Sequence, residues 1–182
     1  MKCFFLYEKL IIAEGIDLRY IIDAYKQLGS RGDFFSPFFG HPNRLEHWTK
    51  EYGLDIAPVD VSPEFVELLK RGPAHGYGSA MNPCVDCKIV MISRARELME
   101  KYGAKFIISG EVLGQRPMSQ RRDTLNAIRR DAGVRETLLR PLSAKLMDPT
   151  PMEESGLGDR EKLKAFNGRG RKDQLALAEH FG

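Results

Sequence analysis

Three observations predict an α/β fold with a mainly parallel sheet. Short apolar runs of strand type alternate with longer segments whose apolar residues recur at helical spacing, the pattern that builds a helix-covered parallel sheet. Glycines stand behind the helical segments as stop signals, at Gly29, Gly53, Gly72 and Gly103. The chain of 182 residues is 42% apolar and 29% charged, enough to bury one core without disulfides or a metal, so a single domain over residues 1–182 is expected.

The elements follow in order. Ile21, Ile22, Tyr25 and Leu28 recur at helical spacing within 17–28, with Gly29 as a stop. The aromatic run Phe34-Phe35-Ser36-Pro37 starts as a buried strand that must leave the sheet at Pro37, which lacks a ladder donor. A helix over 42–52 carries proline in its first turn, and 54–61 reads as a strand. Ser62 and Pro63 then suit the N-cap and first position of a helix ending near Gly72. The loop from Gly72 to Pro83 is long for a compact domain, a sign of function or motion. An amphipathic helix runs on to Tyr102, 105–109 forms a short strand, and 124–132 forms a helix. A strand over 138–142 and two terminal helices, 159–166 and 173–180, complete the pattern.

Composition excludes several classes. Aliphatic and aromatic content argues against disorder, and no apolar run approaches the roughly 20 residues that span a bilayer. The opening segment, with Lys2, Glu8 and Lys9 and no small-residue cleavage site, does not read as a signal peptide, so a cytoplasmic location without membrane partners is expected. Three cysteines, two of them in C-x-x-C, suggest redox, sulfur or metal chemistry in a reducing compartment.

Asn82-Pro83-Cys84-Val85-Asp86-Cys87-Lys88 opens a helix. Backbone N–H groups and the dipole at a helix N-terminus favour thiolate over thiol, and Lys88 adds positive charge, making Cys87 the better-placed nucleophile. The pair is compatible with a redox couple, half of a metal or iron–sulfur site, or persulfide chemistry; two half-buried inert cysteines are the plainer alternative. Structural zinc is disfavoured, because Cys3, His41, His47, His75 and His180 lack paired ligand spacing.

The second feature is Ser109-Gly110-Glu111-Val112-Leu113-Gly114-Gln115, a strand end with closely spaced glycines. In open parallel sheets ligands bind at the carboxyl ends of strands, where Glu111 and Gln115 offer hydrogen bonds; an ordinary turn would look similar. The total charge of +3 argues nothing, but 114–140 holds seven arginines, among them Arg116, Arg121 and Arg122, against three acids. Arg169, Arg171 and Lys172 form a second cluster. Both clusters suit phosphates, or else a solvated helix face.

The block from Asn82 to Arg140 resembles the catalytic domain of tRNA 4-thiouridine synthases, within the PP-loop ATP pyrophosphatases or adenine-nucleotide alpha-hydrolases. C-x-x-C-K, then G-E-x-L-G-Q, then Ser119-Gln120 and Leu139-Arg140-Pro141-Leu142 carry the likeness, best over 82–142. It extends to Phe35-Ser36-Pro37-Phe38-Phe39-Gly40, Asp60-Val61-Ser62 and Gly168-Arg169-Gly170-Arg171-Lys172.

The resemblance implies a Rossmann-like domain with helices on both faces of the sheet. ATP with Mg2+ adenylates a tRNA uridine carbonyl, and a cysteine persulfide then delivers sulfur. By the same likeness Cys87 handles sulfur; Cys84 resolves the disulfide or, with Cys3 and Cys87, ligates an iron–sulfur cluster as in some relatives. Gly15, Asp17, Phe35, Gly110, Glu111 and Gln115 would lie at the nucleotide, and Lys88, Arg116, Arg121, Arg122, Arg169, Arg171 and Lys172 at RNA. The implied partners are tRNA, a persulfide donor such as a cysteine desulfurase, and an RNA-capturing protein or a second copy of the chain.

The chain departs from the family pattern in its first 34 residues. The S-G-G-x-D-S phosphate loop is reduced to Ala13-Glu14-Gly15-Ile16-Asp17-Leu18, where Gly15 and Asp17 match, both serines are absent and Glu14 replaces a glycine. A carboxylate there repels phosphate, and its side chain hinders backbone approach. Besides the enzyme reading there therefore stand a catalytically impaired nucleotide- or RNA-binding homologue and an iron–sulfur-dependent thiolation subunit.

Overall fold

The computed structural model describes residues 5–7, 31–36, 50, 56–79, 81–102, 104–155 and 159–181. The helices expected over 17–28 and 42–52 lie outside these residues, apart from Lys50.

Five short strands form one mixed sheet in the order β3-β2-β1-β4-β5: β1 is Phe5–Tyr7, β2 Arg31–Ser36, β3 Ile56–Asp60, β4 Ile107–Ile108 and β5 Leu138–Leu139. β2 pairs parallel with β3, and β4 with β5. The central β1 runs antiparallel to both neighbours, so the expected mainly parallel arrangement holds only on its two flanks. β2 starts earlier than its aromatic run, and the exit expected at Pro37 lies outside the described residues. Gly32 and Asp33 pair with Ile56 and Ala57 despite having no apolar side chain to bury.

Helix α1 spans Ser62–Arg71 and follows β3 directly. Ser62 is its first helical residue rather than its cap: Asp60 accepts the Ser62 N–H at 2.8 Å. Hydrogen bonding from the Ser62 side chain first, and from its N–H second, holds the Asp60 carboxyl below its ordinary range. Glu64 near the start and Lys70 and Arg71 near the end match the helix dipole, and Gly72 ends the helix at φ +78°.

Helix α2, Cys84–Lys101, is the spine of the core. Cys84, Lys88, Met91, Ala95 and Leu98 form a buried stripe at spacings of three and four, with Val85 and Ile92 beside it. Ile92, Ala95, Ile107, Ile128 and Leu142 are fully excluded from solvent and join α2 to β4 and to helix α3, Arg122–Asp131.

β5 is shorter than expected because Pro141 cannot donate to the ladder and the chain turns, Ser143 N–H donating to the Arg140 carbonyl. The single turn α4, Pro151–Glu154, carries a capping box between Thr150 and Glu153. The helix expected over 159–166 is only one 3-10 turn, Arg160–Lys162. Beyond it the backbone bonds outward instead: Lys164 N–H to the Pro141 carbonyl at 2.9 Å and Phe166 N–H to the Leu142 carbonyl at 2.8 Å. Helix α5, Lys172–Phe181, closes the described chain. No helix among the described residues is long and apolar enough to cross a membrane.

Candidate functional site

Both cysteines fall in the first turn of α2, and Cys87 N–H closes that turn on the Pro83 carbonyl at 2.8 Å. Both are buried thiols. Asn82 Nδ2 donates to Cys84 Sγ at 2.5 Å. Asp86, between the cysteines, turns its carboxylate toward the preceding loop and accepts Ala74 N–H at 2.9 Å and His75 N–H at 3.0 Å. The far side of the loop is fastened by His75 Nε2, 2.9 Å from Asp131 Oδ2 at the end of α3. The long segment 72–83 is thus pinned at both of its neighbours, and the thiols lie in the core instead of on an open sheet edge.

Lys88, one residue further, is the strongest departure from the sequence reading. Expected to face RNA, it is buried, and its Nζ pairs with Glu111 Oε1. Glu111 Oε2 accepts Arg140 Nε at 2.8 Å and the Ser109 hydroxyl at 3.0 Å. Burial is the largest single influence on the Glu111 carboxyl and pushes its pKa up. The charges of Lys88 and Arg140, with their hydrogen bonds, outweigh burial and hold it at about 2. Glu111 is therefore an ionised structural hub whose two oxygens are both engaged by the protein.

Topology explains the meeting. β4 and β5 are parallel neighbours, Ile108 opposite Leu139, so Ser109 and Arg140 leave the sheet side by side. Ser109, Arg140 and Asp86 therefore belong to the site although sequence reasoning named none of them as site residues. The available signal was the exit of two polar residues from adjacent strand ends, which is visible only once the register is known.

The glycine-rich loop turns toward its own chain. Gly110 is buried. Gly114 has φ +74°, and a Cβ there would lie 2.9 Å from Asn167 Oδ1 and 3.3 Å from Gly168 N. Leu113 bridges Asn167, and Gly168 N–H donates to the Leu113 carbonyl at 2.8 Å. Gln115 Nε2 donates to Gln174 Oε1 of α5 at 3.2 Å. The close approach expected for a nucleotide is thus taken up at Gly114 by residues 167 and 168.

These contacts carry the second basic segment to the first. Arg169, Arg171 and Lys172 are exposed next to the bridge, and Arg116 is partly exposed just beyond Gln115. Arg121 and Arg122 are exposed at the start of α3, where Arg121 pairs with Asp123 at 3.0 Å and Arg122 donates to the Leu146 carbonyl at 2.6 Å.

Between the pinned loop and α3 lies an open pocket of about 330 Å³, lined by His75, Val85, Met118, Asp123, Thr124 and Ala127. Val85 is the residue flanked by Cys84 and Asp86. Gly78 lets the loop settle there: a Cβ would stand 2.8 Å from Met118 Sδ and 2.6 Å from Asn82 Oδ1.

Among the described residues no group of three or more His, Cys, Asp or Glu is arranged to hold a metal. Cys84 and Cys87 are two cysteines of the three expected for an iron–sulfur cluster, and Cys3 lies outside the described residues. Gly15 and Asp17 also lie outside them, and Phe35 is described only as a member of β2. No protein-family model, no curated protein and no solved structure matches the chain.

Proposed function

We propose that the chain is a tRNA thiouridylase-like sulfurtransferase domain of the PP-loop ATP pyrophosphatase type, Rossmann-like with helices on both sheet faces, acting in the cytoplasm. One observation carries this reading. The two sequence motifs that suggested it, C-x-x-C-K and G-E-x-L-G-Q, are 23 residues apart at Lys88 and Glu111 yet are joined side chain to side chain in the core. The strand order β3-β2-β1-β4-β5 also follows the order of doubly wound sheets, with β1 reversed.

In this reading ATP, with Mg2+, is the activating substrate: a uridine carbonyl oxygen attacks its α-phosphorus and pyrophosphate leaves. The activated carbon then takes sulfur from a persulfide on Cys87, and AMP departs with the former carbonyl oxygen. Attack by Cys84 on the inner sulfur of Cys87 releases the thiocarbonyl and leaves a Cys84–Cys87 disulfide for an external thiol to reduce. A cysteine desulfurase supplies the persulfide. The basic residues from Arg116 to Arg122 and Arg169 to Lys172 meet RNA phosphates, with an RNA-capturing partner or a second copy completing the grip.

Thionucleoside analysis of tRNA from cells lacking the gene tests this reading. Loss of one thiouridine, restored by the normal gene and not by Cys87→Ser, is expected; an unchanged profile would overturn it.

A second reading, a binding homologue without pyrophosphatase chemistry, is favoured by a separate observation: Glu111 and Gln115 spend their polar groups on Lys88, Arg140 and Gln174. Equilibrium dialysis with ATP separates the two. Binding that tightens in Glu14→Gly supports an inherited pocket, and absence of binding in both proteins supports the second reading. The iron–sulfur alternative predicts bound iron after anaerobic purification.

A further inference from the structure

The open pocket between the pinned loop and α3 is large enough for a small organic ligand: its volume of about 330 Å³ falls within the range of about 300–1,000 Å³ typical of such sites. Val85, Met118 and Ala127 give it apolar walls. The His75 ring, which also lines it, is fixed by Asp131, Nε2 to Oδ2 at 2.9 Å. Gly78 seats the loop against Met118, since a Cβ there would lie 2.8 Å from its Sδ. A flat heterocycle suits these walls, because imidazole offers a face for stacking and a thioether packs favourably on aromatic rings.

The polar groups narrow the choice of ring. Asp123 and Thr124, in the first turn of α3, bring a carboxylate and a hydroxyl to the lining. Arg121 engages Asp123 Oδ2 at 3.0 Å, which leaves lone pairs on both carboxylate oxygens for further N–H donors. The lining contains this one carboxylate and, apart from His75, no basic side chain, so it disfavours a phosphate inside the pocket. Arg121 and Arg122, the two residues before Asp123, are exposed. Arg122 gives one nitrogen to the Leu146 carbonyl, and a guanidinium has further donors for a phosphate.

We infer that this pocket binds the guanine of a phosphorylated guanosine, either a free nucleotide or an unpaired guanosine of an RNA strand. The ring lies against the apolar walls and the His75 imidazole. Asp123 accepts the neighbouring N1–H and N2–H groups, Thr124 donates its hydroxyl to O6, and the phosphate stays outside on Arg121 and Arg122. Guanine is the base whose pairing edge sets two donors side by side for one carboxylate. Adenine and cytosine each offer one amine beside an acceptor nitrogen, and uracil flanks its N–H with carbonyl oxygens that a carboxylate repels. This site needs no sulfur chemistry, and only the RNA source of its ligand rests on the proposed function.

Equilibrium dialysis of the full chain against GMP, IMP, AMP and UMP tests the site. GMP should bind about 10-fold more tightly than IMP, which lacks the N2 amine, and than AMP or UMP. Asp123→Asn, at an exposed position, should remove that preference, and Ala127→Phe, which fills the pocket, should abolish binding. A second arm uses a short unstructured RNA holding a single guanosine, replaced by inosine or adenosine in the controls. Guanine preference in the RNA arm alone assigns the site to RNA, and guanine preference among nucleotides that the RNA does not displace assigns it to a free nucleotide. No guanine preference in either arm, or one that survives Asp123→Asn or Ala127→Phe, would overturn the inference. RNA that then still binds, whatever its base, would leave the basic surface of the proposed function standing without this pocket.

Discussion

Lys88 and Glu111 form an ion pair inside the core, with side chains 4% and 3% exposed. Each belongs to a motif with chemistry of its own, so the pair is both a structural weld and the link between the two halves of the candidate site.

Breaking that weld from one side should be severe. Lys88→Met leaves Glu111 with Arg140 as its sole cation and should cost about 3–5 kcal/mol in urea unfolding at neutral pH. The double variant Lys88→Met with Glu111→Leu should lose less than the sum of the singles, since each single already removes the same ion pair and strands its other member, while Arg140 loses its carboxylate equally in Glu111→Leu and in the double. Strict additivity would mean that the pair does not form.

Acid should uncouple the same site. The Glu111 carboxyl has an ordinary pKa of 4.5 and sits at about 2 when folded, so the folded state favours its ionised form. A depressed pKa contributes stability that is fully present above pH 4.5 and lost as pH falls from 4.5 through about 2. That contribution is about 3 kcal/mol. Unfolding free energies measured between pH 5 and 2 should therefore drop in the normal protein. Glu111→Gln should lack this portion of the drop.

The loop beside the thiol-bearing turn should be releasable without unfolding. Removing the contact between His75 and Asp131 by His75→Ala should speed alkylation of Cys84 and Cys87 by about 3- to 10-fold, measured in a Cys3→Ser background. Global stability should change by less than about 1 kcal/mol, because the contact is largely solvated. Unaltered alkylation would show that the thiols open by another route.

Arg121 and Arg122 are tested by salt. Replacing both with alanine should weaken tRNA binding and reduce the slope of log K against log salt by about 0.7–0.9 per lost phosphate contact. An unaltered slope returns them to a solvated helix face.

Gly114 offers a purely structural check. Gly114→Ala places a Cβ at positive φ within 2.9 Å of Asn167 Oδ1 and should destabilise by about 1–2 kcal/mol. Since Gly168 lies on the same bridge, amide exchange at 167 and 168 should rise with it. No change in exchange would mean the bridge does not depend on this turn.

Elements governed by short-range rules were legible. Pro63 sits in the first turn of a helix, Gly72 ends it, and the apolar period after Cys84 marks the core helix, because backbone sterics and side-chain period act over a few residues. The segment 159–166 misled for the complementary reason. Its helical period was outweighed by acceptors at Pro141 and Leu142, which lie far away in sequence.

The amino-acid order alone marked the core helix after Pro83 and the helix ending at Gly72, and which residue types carry chemistry: two thiols at a helix start, a carboxylate past a strand end, and arginines in clusters. Tertiary structure alone decided where those charges go. Lys88 reads as a surface cation because lysine is seldom buried. It enters the core because strand pairing sets Glu111, with Arg140 beside it, where an unpaired carboxylate could not remain. In a low-dielectric interior the partner's position outweighs local preference, and that position is a property of the fold.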